Sequence, residues 1–365
     1  MSPVLGIRRL RRFFERPFAF ASAGLVCLLL ATLSTAVSDP VVGDPEDFAR
    51  LERAPFSEPL YVGNLENTAL SETSGLASSR LQDDLLWAVN DSGNGPVLYA
   101  IGADGRDRGS VRVEGAENRD WEDIASFLWR DEASGTLRAY LVVADTGDNL
   151  SKRDKLSFYG IEEPVLKGER LPAGSVAPIA WRQTFRFEDG PRDSEGIAVD
   201  VSGGRILIVS KRNVPAEVYS LALPQRFLAP TSPHSAASNP VGRATGGAAG
   251  QEVEVATRIA LLSGIPRPTQ ADLEESPKYG AHRSQPTAFD ISPDGRNAMI
   301  LTYKHAYYFS RAKGESWRTA FARDPQRLAV PPMSQTEAGA FARDGQSFFV
   351  TTEDRPAPLF KIPRE

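Results

Sequence analysis

Five times along the chain a polar pair opens an apolar run: ETSGLA from residue 72, DWEDIA from 120, DSEGIA from 193, QPTAFD from 285 and QTEAGA from 335. Each begins with an acid or amide, skips one residue, places Ser, Glu or Thr next, and continues with small and apolar side chains. The second polar positions are Ser74, Glu122, Glu195, Thr287 and Glu337, separated by 48, 73, 92 and 50 residues. Self-similarity at such a period constrains the fold more than any local motif, because each repeat must be one supersecondary unit that buries its apolar face on its neighbours. Two of the steps have the length of one four-stranded propeller blade, and the two longer ones carry extra loop.

A second signal lies 16 to 23 residues beyond each marker: VNDSG with Asp91, VADTGDN with Asp145, VSKR with Lys211, TYKH with Lys304 and TTED with Glu353. Third apolar runs follow at PVLYAI, KLSFYGI, EVYSLAL, AYYFSR and PLFKI, and fourth runs at GSVRV, IAWRQTFRF, EVEVATRIALL and around 317–330. The last repeat has no fourth run before the chain stops, and PLYVGNL near residue 60 is free to supply it, closing the ring and removing an open sheet edge. No long stretch has the 3.6-residue period of a helix, while Asp-Gly turns recur in GADGR, SPDGR and ARDGQ. The expectation is an all-β chain: a β-propeller over residues 58–365, most simply five-bladed, with a sixth blade left open between 250 and 285. A linker is expected at 39–57, and mobile loop excursions at 222–251 and 264–285.

In an antiparallel blade the start of the innermost strand and the end of the second lie at the same end of the sheet. Both signals are therefore expected at one mouth of the central channel. The inner set comprises Glu72, Ser74, Asp120, Glu122, Asp193, Glu195, Gln285, Thr287, Gln335 and Glu337; Asp91, Asp145, Lys211, Lys304 and Glu353 are expected slightly farther out. The pair Asp193 and Glu195 poses the difficulty sharply. Side chains two apart on a strand point the same way, so two like charges share one face and something must offset them.

The succession ETSGLA, WAVNDSGN, DWEDIA, VVADTGDN with LSFYGIEEP, then DSEGIA, IVSK, ISPDGR with LTYKHAYYF, and TEAGAFARDGQSFFVTTE resembles an exported bacterial β-propeller family near the esterase-like phytase and SdiA-regulated propeller groups. The resemblance covers about residues 58–362 and implies a propeller. Calcium-activated nucleotidases, five-bladed propellers with a calcium in the central channel, look similar in their polar-then-small inner strand and following aspartate turn. Only that pattern carries over, to Ser74, Glu122, Glu195, Thr287 and Glu337; their nucleotide-contacting motifs are absent.

The N-terminal 38 residues are of a different character. Five arginines, from Arg8 to Arg16, precede an uncharged stretch from Pro17 to Ser38 that ends in STAVS, the layout of an export signal cleaved near Ala36 or Ser38 or kept as a membrane anchor. RRFF at 11–14 partly matches a twin-arginine signal, with Leu10 where Ser or Thr is usual. An exported chain is secreted, periplasmic or anchored at the outer face of the cytoplasmic membrane, and the membrane is a partner only through an uncleaved leader. The single cysteine, Cys27, lies in this leader, so the remainder forms no disulfide and no thiolate metal site. Residues 1–38 hold five arginines and one glutamate, and without them the formal charge moves from −5 to −9. So acidic a body argues against nucleic acid and is suited to cations.

Oxygen ligands from carboxylates, hydroxyls and amides suit a hard cation, calcium before magnesium, because calcium accepts six to eight of them in loose geometry. The three histidines, His234, His282 and His305, have no zinc-type spacing, no G-x-S-x-G occurs, and DTGDN lacks the Gly and Glu of an EF-hand loop. Metal ligands are sought among Glu72, Ser74, Asp120, Glu122, Asp193, Glu195, Thr287 and Glu337, and a small anionic ligand at Asp91, Asp145, Lys211, Lys304 and Glu353. Three functions stay open: cation and anion binding without reaction; metal-dependent phosphoester hydrolysis with Glu122, Glu195 and Lys211 as catalytic candidates; or a scaffold for another exported protein.

Overall fold

The computed structural model describes residues 42–130, 134–224, 253–333 and 335–365. The leader, Cys27, and residues 225–251 of the first excursion lie outside the described residues. Strand β1 (Leu60–Asn64) comes first in the chain and pairs last. The first repeat gives β2 (Thr73–Ser78), β3 (Leu85–Asn90), β4 (Val97–Gly102) and β5 (Asp107–Glu114), an antiparallel meander. The second gives β6 (Trp121–Arg130), β7 (Leu137–Asp145) and β8 (Leu156–Glu162); then β9 (Ser175–Pro178) pairs parallel with β5 of the first unit, and β10 (Trp181–Phe187) completes the second by pairing with β8. The third is β11 (Ser194–Asp200), β12 (Arg205–Ser210), β13 (Glu217–Ala222) and β14 (Glu254–Leu261), whose outer strand pairs parallel with β10. The fourth is β15 (Pro286–Ile291), β16 (Asn297–Thr302), β17 (Ala306–Ser310) and β18 (Gln326–Leu328). The fifth is β19 (Thr336–Phe341), β20 (Ser347–Thr352) and β21 (Pro358–Pro363), finished by β1 in antiparallel register Leu60–Lys361 through Asn64–Pro358.

The inner strands β2, β6, β11, β15 and β19 touch in a closed cycle. Each apolar core draws on two consecutive units: Phe127 and Phe158 pack with Ile208 and Tyr219, Phe289 and Tyr307 with Val218, and Leu76 with Ala338 and Phe349 across the closure. This is a β-propeller. The small residues in the repeats follow from the crowding of the inner strands. A Cβ built on Gly75 would stand 2.7 Å from Asp123 Cα and Ile124 N of the next unit.

Residues 42–57, expected as a linker, are docked: helix α1 (Glu46–Arg50) precedes buried Ala54 and Phe56, and the Ala54 N–H donates to the Arg327 carbonyl at 2.8 Å. The expected loop at 264–285 contains helix α2 (Gln270–Glu275), set by a Thr269/Asp272 capping box that satisfies otherwise unpaired N–H groups. Residues near 317–330 supply helix α3 (Trp317–Ala320) before the short strand β18, so the fourth run is shorter than the sequence pattern implies. Among the described residues, no helix is long and apolar enough to cross a membrane.

Candidate functional site

The five sequence markers are the five places where the inner strands lose register. Pairing skips from Thr73 to Gly75, Trp121 to Asp123, Ser194 to Gly196, Pro286 to Ala288 and Thr336 to Ala338, leaving Ser74, Glu122, Glu195, Thr287 and Glu337 as bulge residues. A bulge re-aims its extra side chain, so strict alternation fails at these positions. Ser74, Glu122, Glu195 and Glu337 line a cavity of about 200 Å³ together with Asp91, Lys211, Tyr303, Gln335 and Glu353. Thr287 spends its hydroxyl on the next inner strand, donating to the Thr336 carbonyl at 2.8 Å.

The acids in and beside this mouth differ in how their charge is compensated. Glu195 is ion-paired with Lys211, and Asp193 receives Arg212 Nε at 2.7 Å as well as the Asp148 N–H at 2.8 Å. Asp91, Asp120 and Glu122 have no cation within ion-pair distance among the described residues, yet each offers an oxygen within 4.8 Å of the other two. Glu122 is buried and receives only a long hydrogen bond, 3.3 Å, from Ser74 Oγ, whose shorter bond of 2.7 Å goes to the Glu122 carbonyl. Two like charges at 4.8 Å repel by about 3 kcal/mol at an effective dielectric of about 20. Burial, then the charges of Glu195 and Asp91, hold the Glu122 pKa well above the carboxylate range. Asp120 is pushed up to about 6 by burial and by Asp91, and Glu337 to about 7, chiefly by burial.

Burial works against the Lys211 ammonium, but Glu195 and Glu337 outweigh it and raise its pKa. Burial raises the Tyr303 phenol, with Glu337 and Glu195 adding to the effect. Gly147 holds the backbone against the uncompensated trio: a Cβ there would overlap Glu122 Oε1 and stand 2.5 Å from Asp120 Oδ2.

Other predicted residues go elsewhere. Asp145 is buried in an ion pair with Arg153 at 2.7 Å and does not line the cavity. Lys304 pairs with Asp272 and lines a larger neighbouring cleft. Glu72 is exposed, accepting from Asn94 at 2.7 Å; Glu353, by contrast, stays in the mouth and accepts from Gln335 at 2.7 Å. In DTGDN, Asp148 accepts the Lys152 and Arg153 N–H groups at 2.9 and 2.7 Å, a turn stabilised by its own side chain.

Sequence reasoning did not single out Tyr303, or Asp123 beside Glu122. Asp123 Oδ1 accepts the Ile124 N–H at 2.8 Å, while Oδ2 accepts Ile197 N–H at 2.8 Å and Phe289 N–H at 3.4 Å, so one carboxyl from the second unit ties the third and fourth. Burial holds its pKa well up. Asp290 does the same between the fourth and fifth units through the Phe341 N–H at 2.8 Å. The only trace of this in the sequence is an acid in an otherwise apolar strand.

No family model and no curated protein sequence matches the chain. A solved structure of a luciferin-regenerating enzyme aligns with 84% of this chain and 95% of its own at 9% identity and a TM-score of 0.38. The resemblance to the esterase-like phytase and SdiA-regulated groups therefore rests on the quoted motifs, and the propeller on the strand pairing.

Proposed function

We propose that the protein is an exported propeller that binds a divalent cation, calcium by ligand chemistry, at the mouth of its ring through Asp91, Asp120 and Glu122. One observation carries this reading: three carboxylates converge with no cation within ion-pair distance among the described residues, while Asp193 and Glu195 beside them are ion-paired. Two oxygens on opposite sides of one calcium stand about 5 Å apart at most, and this trio lies within 4.8 Å. Only hard oxygen donors are present in the trio, and a cation there would offset the repulsion that raises Glu122 and Asp120. Lys211, which lines the mouth, and Arg212 in the adjoining cleft would supply a contact for a small anion.

The test is a melting scan of the purified chain in calcium against chelator, with metal analysis. Calcium at about one hundred times its Kd adds about 2.7 kcal/mol, a rise of about 4 °C for a chain of this length. Glu122→Gln should abolish the rise. A shift of equal size in that variant would defeat the assignment.

A second reading, metal-dependent phosphoester hydrolysis, is favoured by Glu337, whose pKa of about 7 suits a general base beside Lys211. Turnover of a nitrophenyl phosphate or diester that collapses in Glu337→Gln would support it. Absence of turnover in the calcium-loaded chain would remove it and leave the binding role.

A further inference from the structure

Beside the acidic mouth lies a second cavity, of about 1060 Å³, sharing Asn149, Lys211, Tyr303 and Gln335 with it. Its walls combine the repeat-borne residues Lys211, Arg212 and Tyr303 to His305 with segments that the repeats do not predict: helix α1 with the residues after it, the stretch following α2, and residues 327–333. The electrostatic character is the reverse of the mouth. Six lining side chains are Arg or Lys, and two are acids, Glu58 and Glu275. Those acids pair with Arg53 at 2.8 Å and Arg283 at 3.3 Å from the outer surface, where their side chains are 74% and 64% exposed. The ion pairs behind the wall are arranged asymmetrically. Arg212 is 38% exposed while its partner Asp193 is wholly buried, and Lys304 is 34% exposed against 5% for Asp272. Each pair hides its carboxylate and leaves its cation on the cavity wall.

The rest of the lining mixes polar groups, among them Asn149, Ser276, Gln285 and Gln335, with flat apolar ones. Phe48 and His305 stack at 3.8 Å between centroids, the Arg327 guanidinium lies 5.4 Å from the Phe48 ring, and Tyr279, Pro332 and Met333 contribute further apolar surface. Burial and the nearby cations depress both histidines, His305 to about 4, so each is neutral at pH 7 and offers hydrogen bonds without charge. A concave cavity that combines apolar walls with converging polar groups is the usual form of a small-molecule site, and this volume lies at the upper end of that range.

We propose that this cleft binds a small organic anion with a flat apolar body, of the aromatic carboxylate or sulfonate kind, its acid group compensated by Arg212, Arg283 and Arg327. The cations select the charge. The ring-lined wall selects against bare inorganic anions, whose hydration it cannot replace. In a body of formal charge −9 after the leader, a cationic cavity of this size serves a ligand rather than solubility. The inference goes beyond the cation site and does not depend on it.

The experiment is calorimetric titration of the full chain, in chelator, with naphthalene sulfonate, its neutral counterpart naphthalene methanol, and inorganic sulfate. Expected are one saturable site for the sulfonate, at least tenfold weaker binding of the other two, and a loss of tenfold or more in Arg283→Met and in Arg327→Met. Arg283 is partly exposed, so its variant keeps the fold even if Arg327→Met loosens the N-terminal segment. Glu122→Gln should bind the sulfonate like the parent, which separates this site from the mouth. No saturable binding at millimolar sulfonate, equal binding of the neutral compound or of sulfate, or unchanged affinity in Arg283→Met would each overturn the proposal.

Discussion

Replacing Glu337 by glutamine should stabilise the folded chain, by an amount that grows with pH. Glu337 is 7% exposed, and burial holds its carboxyl at about 7 against 4.5 in the unfolded chain. A carboxyl whose folded pKa is raised favours the folded state only while protonated. Its contribution is complete below pH 4.5 and is lost as pH climbs through 7. The full loss is about 3 kcal/mol, of which only about 1 kcal/mol has gone by pH 5. Glutamine mimics the protonated form and suffers no such loss. The variant should therefore exceed the parent by about 1 kcal/mol at pH 5 and by about 3 kcal/mol at pH 8.

Urea unfolding of both chains in chelator, at several pH values between 5 and 8, reads this difference directly. His305 moves the other way: burial and Lys304 depress it to about 4, so its share of stability is present above pH 6.5 and falls as pH drops toward 4. It is common to both chains and cancels in the difference. Lys211 keeps its ion pair with Glu195 in the variant, so no buried ammonium is left unpaired. A difference that is flat across this range, or that shrinks as pH rises, would refute the reasoning. It would mean that Glu337 is already ionised at pH 5 in the folded chain, with Lys211 rather than burial dominating.

Two further substitutions separate the mouth from the hub. Gly147→Ala should push Glu122 and Asp120 apart and abolish calcium-dependent stabilisation in the melting scan while leaving the far-ultraviolet β signal intact; retained calcium response would show that the trio is not the ligand set. Asp123→Ala removes the acceptor for three buried N–H groups and should lower stability by about 2 kcal/mol or more without touching the mouth. A urea midpoint unchanged in that variant would show that the inner strands do not depend on the carboxyl.

The strands were legible because each repeat spells out its own period: an apolar run, a turn, and another run, with PLYVGNL left over for the last sheet, where β1 pairs with β21. The docked segment at 42–57 and helix α2 were not, since Ala54, Phe56 and the Thr269/Asp272 capping box act through single contacts too sparse to form a pattern. Lys304 illustrates the same limit. Its place after the second strand predicted the mouth, but its partner Asp272 comes from the α2 excursion and pulls it toward the other cavity.

The polar marker at the head of each repeat is best understood as a change of phase. Were β11 regular, Asp193 and Glu195 would share a face; the break in pairing at Glu195 lets Asp193 turn to Arg212 while Glu195 meets Lys211 in the cavity. The same break in β6 divides three clustered acids between two tasks, sending Glu122 to the mouth with Asp120 and Asp123 to the backbone N–H groups of the neighbouring units. In the sequence these acids look alike. What distinguishes them is whether the carboxylate meets N–H donors fixed by the fold, as Asp123 does, or chiefly other carboxylates, as Glu122 does apart from one long bond from Ser74. Donors already in place satisfy a buried acid and hold strands together, whereas acids facing acids remain in a folded chain at a cost that an outside cation is suited to remove.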